Sequence, residues 1–158
     1  MQKKNERAFS LVEVLVASAI LLTIVVGVFG ALRLFAQVSA QDAERTQAAL
    51  LAGEASEALQ LMRDDGWAEN IAPLSLDTTY YLAWEDDSYV ATTTPVVIDG
   101  RFLRTVTFEA VERNGSDQIA ESGTVDQGTR RVHVEVTRAI GGNVLVDSDF
   151  LVHNIYEE

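Results

Sequence analysis

The 158-residue chain is long enough for one small folded domain and an extended helix, but too short for two domains with separate cores. It has 24 acidic and 12 basic residues and a formal net charge of −12, which disfavours nucleic-acid binding because that function normally uses a basic patch. It has no cysteine, which excludes disulfides and thiolate zinc sites.

The first predicted element is a membrane-spanning helix at residues 9–32. This stretch is largely apolar, and Glu13 is its only charged residue. At about 1.5 Å per residue it would extend roughly 36 Å, enough for a hydrocarbon core of about 30 Å. Most charges of segment 1–8, which precedes it, are basic, so the positive-inside bias predicts that this end stays in the cytoplasm and that the chain after Arg33 lies outside.

The only charge within that apolar stretch is the carboxylate of Glu13. A charged side chain at the centre of a bilayer costs about 2.5 to 3.5 kcal/mol on insertion scales. Intramembrane ionisable residues usually have a function and a partner, and a second chain could provide the partner for Glu13.

The sequence Arg-Ala-Phe-Ser-Leu-Val-Glu-Val-Leu-Val-Ala at residues 7–17 resembles the class III prepilin signal of type IV pilins and type II secretion pseudopilins. In that family a membrane aspartyl peptidase cuts before the aromatic residue and methylates the new amine. The resemblance implies cleavage between Ala8 and Phe9, N-methylation of Phe9, and an assembly role for Glu13. Ala8 stands where the family usually has glycine, but it is still small.

Cleavage would remove residues 1–8, which carry three basic residues and one acidic residue, and would change the net charge from −12 to −14. The new amine of one subunit could pair with Glu13 of a neighbour, which would offset the burial of both charges and fix the axial offset between helices. Small and β-branched residues would let such helices approach closely; they are Val12, Val14, Val16, Ala17, Ser18, Ala19, Gly27 and Gly30.

Three other classes of protein remain open. A monomeric membrane-anchored binding module on the outer surface would keep its localisation and function when Glu13 is replaced by alanine. A secretory signal peptide cut after Ala40 would leave Gln41 as the mature start, although its apolar region would normally have only about 7 to 15 residues. An enzyme such as a hydrolase has no support from a phosphate loop, a zinc spacing or a nucleophile elbow.

The helix is predicted to continue beyond the membrane, over residues 33–65. This part has no proline and is rich in alanine, leucine, glutamine and glutamate. Ser39 to Gln47 is polar nearly all round, which indicates an exposed neck, and Asp64-Asp65-Gly66 is a helix stop. A stripe at helical spacing is predicted to pack on the head domain; it consists of Leu51, Ala55, Ala58, Leu59 and Met62.

The head, residues 66–158, has the alternation typical of strands. In the predicted strand Arg101 to Arg113 the inward residues are Phe102, Val106, Phe108 and Ala110. In the strand Arg131 to Ile140 they are Val132, Val134, Val136 and Ile140. Gly141-Gly142-Asn143 then predicts a turn into Val144 to Tyr156.

Two weaker strands are predicted at Thr78 to Trp84 and Tyr89 to Ile98, the second restricted by Pro95 to an edge or a strand end. Asn114 to Ser116 and Glu121 to Thr129 are predicted to be loops. The whole pattern predicts an α+β fold in which a long N-terminal helix lays its outer half on a four- or five-stranded antiparallel sheet, as in pilins.

Candidate binding chemistry in the head is sparse, and no cofactor is predicted. Asp86 and Asp87, and also Asp147 and Asp149, are weak candidates for calcium ligands, but without EF-hand spacing a solvated turn and a polar strand face are favoured. Both histidines, His133 and His153, are predicted on solvent faces. The aromatic residues are more typical of a sheet core than of a partner patch; they are Trp67, Tyr80, Tyr81 and Trp84.

Together these features predict a minor pilin or minor pseudopilin without catalytic activity, anchored in the inner membrane and then built into a filament. The resemblance implies several partners: other pilin or pseudopilin subunits, a prepilin peptidase, an assembly ATPase and a platform membrane protein. No direct contact with nucleic acid is expected.

Overall fold

The computed structural model describes residues 10–155 and has an α+β, pilin-like architecture, as predicted. Two helices, α1 (Leu11–Asp65) and α2 (Trp67–Asn70), precede an antiparallel sheet of seven strands. The strands are β1 (Thr79–Glu85), β2 (Ser88–Thr92), β3 (Val97–Ile98), β4 (Phe102–Arg113), β5 (Ile119–Ala120), β6 (Thr124–Arg138) and β7 (Val144–His153).

The chain divides into two compact units, with the boundary between Ala43 and Glu44. The described part of the first unit is the N-terminal portion of α1, whose residues are all exposed. The second unit holds the remainder of α1, α2 and the whole sheet.

The helix α1 ends where the Asp64-Asp65-Gly66 sequence predicted. Gly66 has a φ of 153°, in the region that favours glycine, and its N–H bonds to the carbonyl of Arg63 at 3.2 Å. The short helix α2 follows at once and was not predicted. Its Asn70 donates from Nδ2 to the carbonyl of Met62 at 3.1 Å, which satisfies one of the α1 carbonyls left over at the helix end.

The strand order is β2-β1-β4-β6-β7, and the short strands β3 and β5 each pair with one part of β4. The predicted C-terminal hairpin is confirmed as β6 and β7, joined by a turn in which Gly141 and Gly142 have φ values of 90° and 65°. The sequence had predicted four or five strands because β3 and β5, two residues each, are too short to show alternation.

The core lies between one face of α1 and the sheet. The predicted helix stripe is confirmed at Ala55, Ala58, Leu59 and Met62, which are buried, while Leu51 is only partly buried. The facing sheet residues are the predicted valines of β6 together with three residues of β4; they are Val132, Val134, Val136, Phe102, Val106 and Phe108. Alanines on α1 let its backbone lie close to this apolar face.

Two residues predicted to point inward point outward instead. The register of β4 against β6 shifts between Ala110, opposite Arg130, and Val111, opposite Asp126. This β-bulge turns Ala110 to solvent and buries Val111, which is 2% exposed. Ile140 is 86% exposed. The alternating pattern continues to Ile140 in the sequence, but the strand β6 ends two residues earlier, at Arg138.

The predicted loop Glu121 to Thr129 was partly wrong. β6 begins at Thr124 and pairs with the end of β4 beyond the bulge. The predicted strand Tyr89 to Ile98 is two strands, β2 and β3, with Pro95 between them, since proline cannot donate to a sheet ladder.

The four aromatic residues that were predicted to lie in the sheet core differ in their burial. Trp67 and Tyr80 are buried, and Tyr81 is partly buried. The prediction of a core position was wrong for Trp84, which is 59% exposed. The cause is topological: β1 pairs with β4 only at Thr79 and Tyr80, so the hairpin carries Trp84 beyond the packed sheet.

Candidate functional site

The candidate assembly site begins at the first turn of α1. The carbonyl of Ser10 accepts bonds from the N–H groups of Glu13 at 3.0 Å and Val14 at 3.2 Å. A serine followed three residues later by glutamate is typical of a helix N-terminus, where the helix dipole also favours a negative charge. Glu13 therefore lies in the first turn of α1, where the helix dipole favours its charge.

Beyond this turn, α1 presents an apolar surface in which no charge occurs before Arg33. The large apolar side chains between Leu11 and Val38 range from 40% exposed at Val25 to 79% exposed at Leu11. By length and composition the helix can cross a membrane. Within residues 10–155 nothing buries this surface, and a contiguous exposed apolar surface is typical of a membrane or protein contact.

The polar groups of this helix segment suit an apolar environment. Ser18 Oγ donates to the carbonyl of Leu15, and Thr23 Oγ1 donates to the carbonyl of Ala19, each at 2.9 Å. Both hydroxyls are thus satisfied within their own helix. A Cβ added at Gly27 or Gly30 would meet no described atom within 4 Å, so the small size of these residues leaves the helix backbone open to a close neighbour.

Comparison with protein families matches residues 3–29 to the prokaryotic N-terminal methylation motif. The chain carries the signature of type IV pilins and pseudopilins. The motif and the apolar helix fit a membrane-anchored pilin-like precursor that becomes part of a filament, and they imply assembly with other pilin subunits and a processing enzyme. The family is structural rather than enzymatic. No curated protein and no solved structure matches the chain.

The other site residues of this pilin-like chain are dispersed. The predicted cleavage site, Ala8 and Phe9, lies outside the described residues. Asp86 and Asp87 form the turn between β1 and β2, with φ values of 47° and 62°. Asp147 and Asp149 lie on β7.

These aspartates were only weak calcium candidates, and the favoured interpretation, a solvated turn and a polar strand face, stays a prediction. Asp149 Oδ1 lies 2.8 Å from His133 Nδ1, and Asp147 is opposite Glu135 in the β6–β7 register. In the part of the chain that the structure describes, no group of three or more His, Cys, Asp or Glu residues is arranged to hold a metal ion.

Three arginines of the head contact α1, and sequence reasoning missed them: Arg104 and Arg138 lie in the sheet, and Arg101 lies just before β4. Arg138 pairs with Glu44, Arg101 Nη1 donates to Gln47 Oε1 at 3.3 Å, and Arg104 Nη1 donates to the carbonyl of Leu51 at 3.0 Å. The partners on α1 follow at intervals of three and four residues, so they lie along one helix face. The available signal was Arg104, a cation between Phe102 and Val106 on the apolar side of a predicted strand.

A cleft of about 840 Å³ lies at the β4–β6 bulge and is lined in part by Asp126. The carboxylate of Asp126 accepts its hydrogen bonds from neighbouring groups of the protein. Asp126 accepts from Thr129 Oγ1 at 2.7 Å, from Arg113 Nε at 2.6 Å and from the Gly128 N–H at 2.9 Å. These bonds, that of Thr129 first, lower the pKa of Asp126. These hydrogen bonds hold the bulged part of β6 against the end of β4, and we therefore assign this carboxylate a structural role.

Proposed function

We propose that this protein is the precursor of a structural subunit, a minor pilin or minor pseudopilin, of a type IV pilus-like or type II secretion filament. The observation that carries the proposal is the apolar surface of α1 from Leu11 to Val38, which is exposed in the single chain and has one carboxylate, Glu13, in its first turn. The methylation motif at residues 3–29 supports the same assignment.

A prepilin peptidase would cut the Ala8–Phe9 bond and methylate the new amine of Phe9. The cut removes a leader whose net charge is +2 and leaves a cation at the tip of the apolar helix. When that amine meets Glu13 of a neighbouring subunit, each charge offsets much of the burial cost of the other. The pair would also fix how far one helix is displaced along the next.

Before assembly, residues 9–32 would span the inner membrane, and the chain after Arg33 would lie outside the cytoplasm. Residues 33–65 would carry the helix to the head, residues 66–158. The assembly ATPase and the platform membrane protein would then draw the subunit into the filament, so that neighbouring helices replace lipid around the exposed surface.

A minor rather than a bulk subunit is supported by the distribution of charge. Residues 44–158 contain 21 acidic and 8 basic residues. Identical heads that all carry a net negative charge would repel one another if they packed side by side in a homopolymer. A subunit present at few positions, next to different heads, avoids that repulsion.

The testing experiment is the mass of the N-terminal peptide after expression of the full chain with a prepilin peptidase. A peptide beginning with N-methylated Phe9 supports the proposal. Ala8→Gly should be cut at the same bond, whereas a bulky Ala8→Trp should remain uncut. A start at Gln41 would instead indicate a secreted domain, and an uncut parent chain would indicate a plain membrane anchor.

A further inference from the structure

The hairpin of β1 and β2 extends from the main sheet, and the outer edge of β2 is unpaired along its whole length among the described strands. Asp86 and Asp87 form its two-residue turn, and Glu85 is opposite Ser88. After Tyr80, β1 pairs with β2 and no longer with β4. Among the described strands, β2 pairs only with β1.

The register shows which backbone groups lie on the open edge. In a hairpin with a two-residue turn, the pair next to the turn exchanges both hydrogen bonds, and pairs then alternate. Glu85 with Ser88 and Ala83 with Val90 are therefore the bonded pairs. The N–H and C=O groups of Tyr89 and Ala91 point outward, in the geometry that an added strand would need.

This edge lacks the protection that natural sheets give to exposed strands. The β2 sequence, Ser-Tyr-Val-Ala-Thr, has neither a charge nor a proline, and all five residues are partly exposed. The opposite edge strand, β7, carries Asp147 and Asp149 near its middle. Charged residues on an edge strand discourage the addition of another strand. The β7 edge is therefore protected in this way, and the β2 edge is not.

An uncovered aromatic side chain lies beside the open edge. Trp84 shares a face of β1 with the buried Tyr80 and Leu82 but is 59% exposed. Its ring contacts that of Tyr89 edge to face, with the centroids 4.9 Å apart. The Tyr89 hydroxyl in turn bonds to Glu54 Oε1 at 3.1 Å, so this aromatic pair is held in a fixed position.

The surroundings of this edge are acidic. Residues 64–100 contain eight acidic residues and no lysine or arginine. Glu85, Asp86 and Asp87 lie at the tip of the hairpin. Glu54 and Glu57 of α1 lie near Tyr89 on the helix side of the hairpin. Burial and then the charge of Glu54 raise the pKa of Tyr89, Arg104 partly offsets them, and Glu57 makes a smaller contribution.

We propose that the open edge of β2 binds an extended, lysine- or arginine-rich segment of a different polypeptide as an additional antiparallel strand. Main-chain bonds to Tyr89 and Ala91 would provide affinity. The acidic rim and the Trp84–Tyr89 pair would select cationic side chains. A second copy of this chain does not fit, because it would bring the same acidic hairpin against this one. The proposal does not depend on filament assembly.

A peptide of alternating lysine and threonine, about eight residues long, tests the proposal on the full-length protein in neutral detergent micelles. We expect calorimetry to show binding that weakens with salt. Two comparison peptides separate the causes: one with glutamate in place of lysine, and one that keeps lysine but has N-methyl groups along one backbone edge. Each should bind at least about tenfold more weakly. Equal binding of the N-methylated peptide would overturn strand addition, as would no binding of the basic peptide.

Variants of the protein test the same edge from the other side. Ala91→Pro removes an outward N–H and leaves the β1–β2 bonds intact, so it should weaken the basic peptide about tenfold with an unchanged circular dichroism spectrum. Asp86→Asn with Asp87→Asn should reduce both the affinity and its salt dependence. The matched control, Asp147→Asn with Asp149→Asn, removes the same charge from the other edge and should bind like the parent chain. An equal loss in that control would mean unspecific attraction to an acidic protein and would overturn the proposal.

Discussion

Arg138, the last residue of β6, holds Glu44 of α1 with two adjacent nitrogens: Nε donates to Oε1 at 2.8 Å and Nη2 donates to Oε2. This bidentate pair joins residues 94 positions apart in the chain. The hydrogen bonds from Arg138 lower the pKa of Glu44. The pair therefore fastens α1 to the end of the β6–β7 hairpin.

We predict that this pair makes the head sensitive to acid. Because the pKa of Glu44 is lower in the folded state, its contribution to stability is complete above the ordinary pKa of about 4.5 and is lost as the pH falls through the lowered value. Glu44→Gln should reduce the midpoint of thermal unfolding at neutral pH and should make that midpoint depend less on pH in acid. Glu57→Gln, on an exposed position of α1, is the control and should change neither.

A second prediction concerns the buried guanidinium of Arg104, which is 3% exposed. It bonds to the carbonyl of Leu51 and lies 3.2 Å from Glu54 Oε1, but its Nε has no partner among the described residues. Since burying a charge can cost more than its ion pair returns, Arg104→Met should be as stable as the parent chain or more stable. Arg104→Ala, which leaves a cavity, should lose about 2 to 4 kcal/mol. Urea unfolding would measure both, and an equal loss would show a net stabilising ion pair.

The success and failure of the sequence predictions have physical causes. The end of α1 at Gly66 and the β6–β7 hairpin depend on local patterns, which a sequence displays directly. The orientation of Ala110 depends on a bulge between two strands, and the exposure of Trp84 depends on where β1 leaves β4. Neither relation is local, so alternation assigned Ala110 to the core, and the usual preference of aromatic residues for a sheet core assigned Trp84 there.

The candidate site shows the same contrast between local features, which the sequence displays, and contacts between distant residues, which it does not. The apolar helix and Glu13 were predictable because a membrane span and its one charge are features of composition. The arginine contacts with α1 were not predictable, since each joins residues about fifty or more positions apart.

A third prediction concerns Gly123, just before β6. A Cβ at this position would overlap the carbonyl oxygen and carbon of Arg113, where the Gly123 N–H also donates to Glu112 Oε2 at 2.6 Å. Gly123→Ala should therefore cost about 1 to 3 kcal/mol and should speed amide exchange in β5. Gly115→Ala is the matched control, because its Cβ would meet nothing described within 4 Å; it should be neutral or slightly stabilising. Equal effects would show that the crowding at Gly123 is relieved by loop movement.

A fourth prediction concerns the pair of His133 on β6 and Asp149 on β7. The hydrogen bond that His133 Nδ1 donates to Asp149 is the main cause of the raised pKa of His133, and the charge of Asp147 adds to it. Because the folded-state pKa is raised, the stabilisation is complete below the ordinary value of about 6.5 and is lost as the pH rises through the raised value. An NMR titration should show a lower His133 pKa in Asp149→Asn and a smaller decrease in Asp147→Asn. The reverse order would contradict the hydrogen bond as the cause.

The last prediction separates a filament subunit from a monomeric anchor. Glu13→Ala removes a charge whose unpaired burial is unfavourable, by at most about 2.5 to 3.5 kcal/mol at the centre of a bilayer, so membrane insertion should be maintained or improved. Assembly into filaments should nevertheless be lost, because the amine of a neighbouring Phe9 would then be buried without its partner. Glu13→Asp keeps the charge on a shorter side chain and should assemble partly, whereas Glu13→Gln, with nearly the same shape and no charge, should behave like alanine. Sheared surface filaments and total membranes, probed for the protein, measure the two steps separately. Normal assembly of the alanine and glutamine variants would contradict the pairing of Glu13 with a neighbour's amine, whereas a parent chain that reaches the membrane but never enters filaments would make α1 an anchor alone and the head the functional part of a monomeric protein.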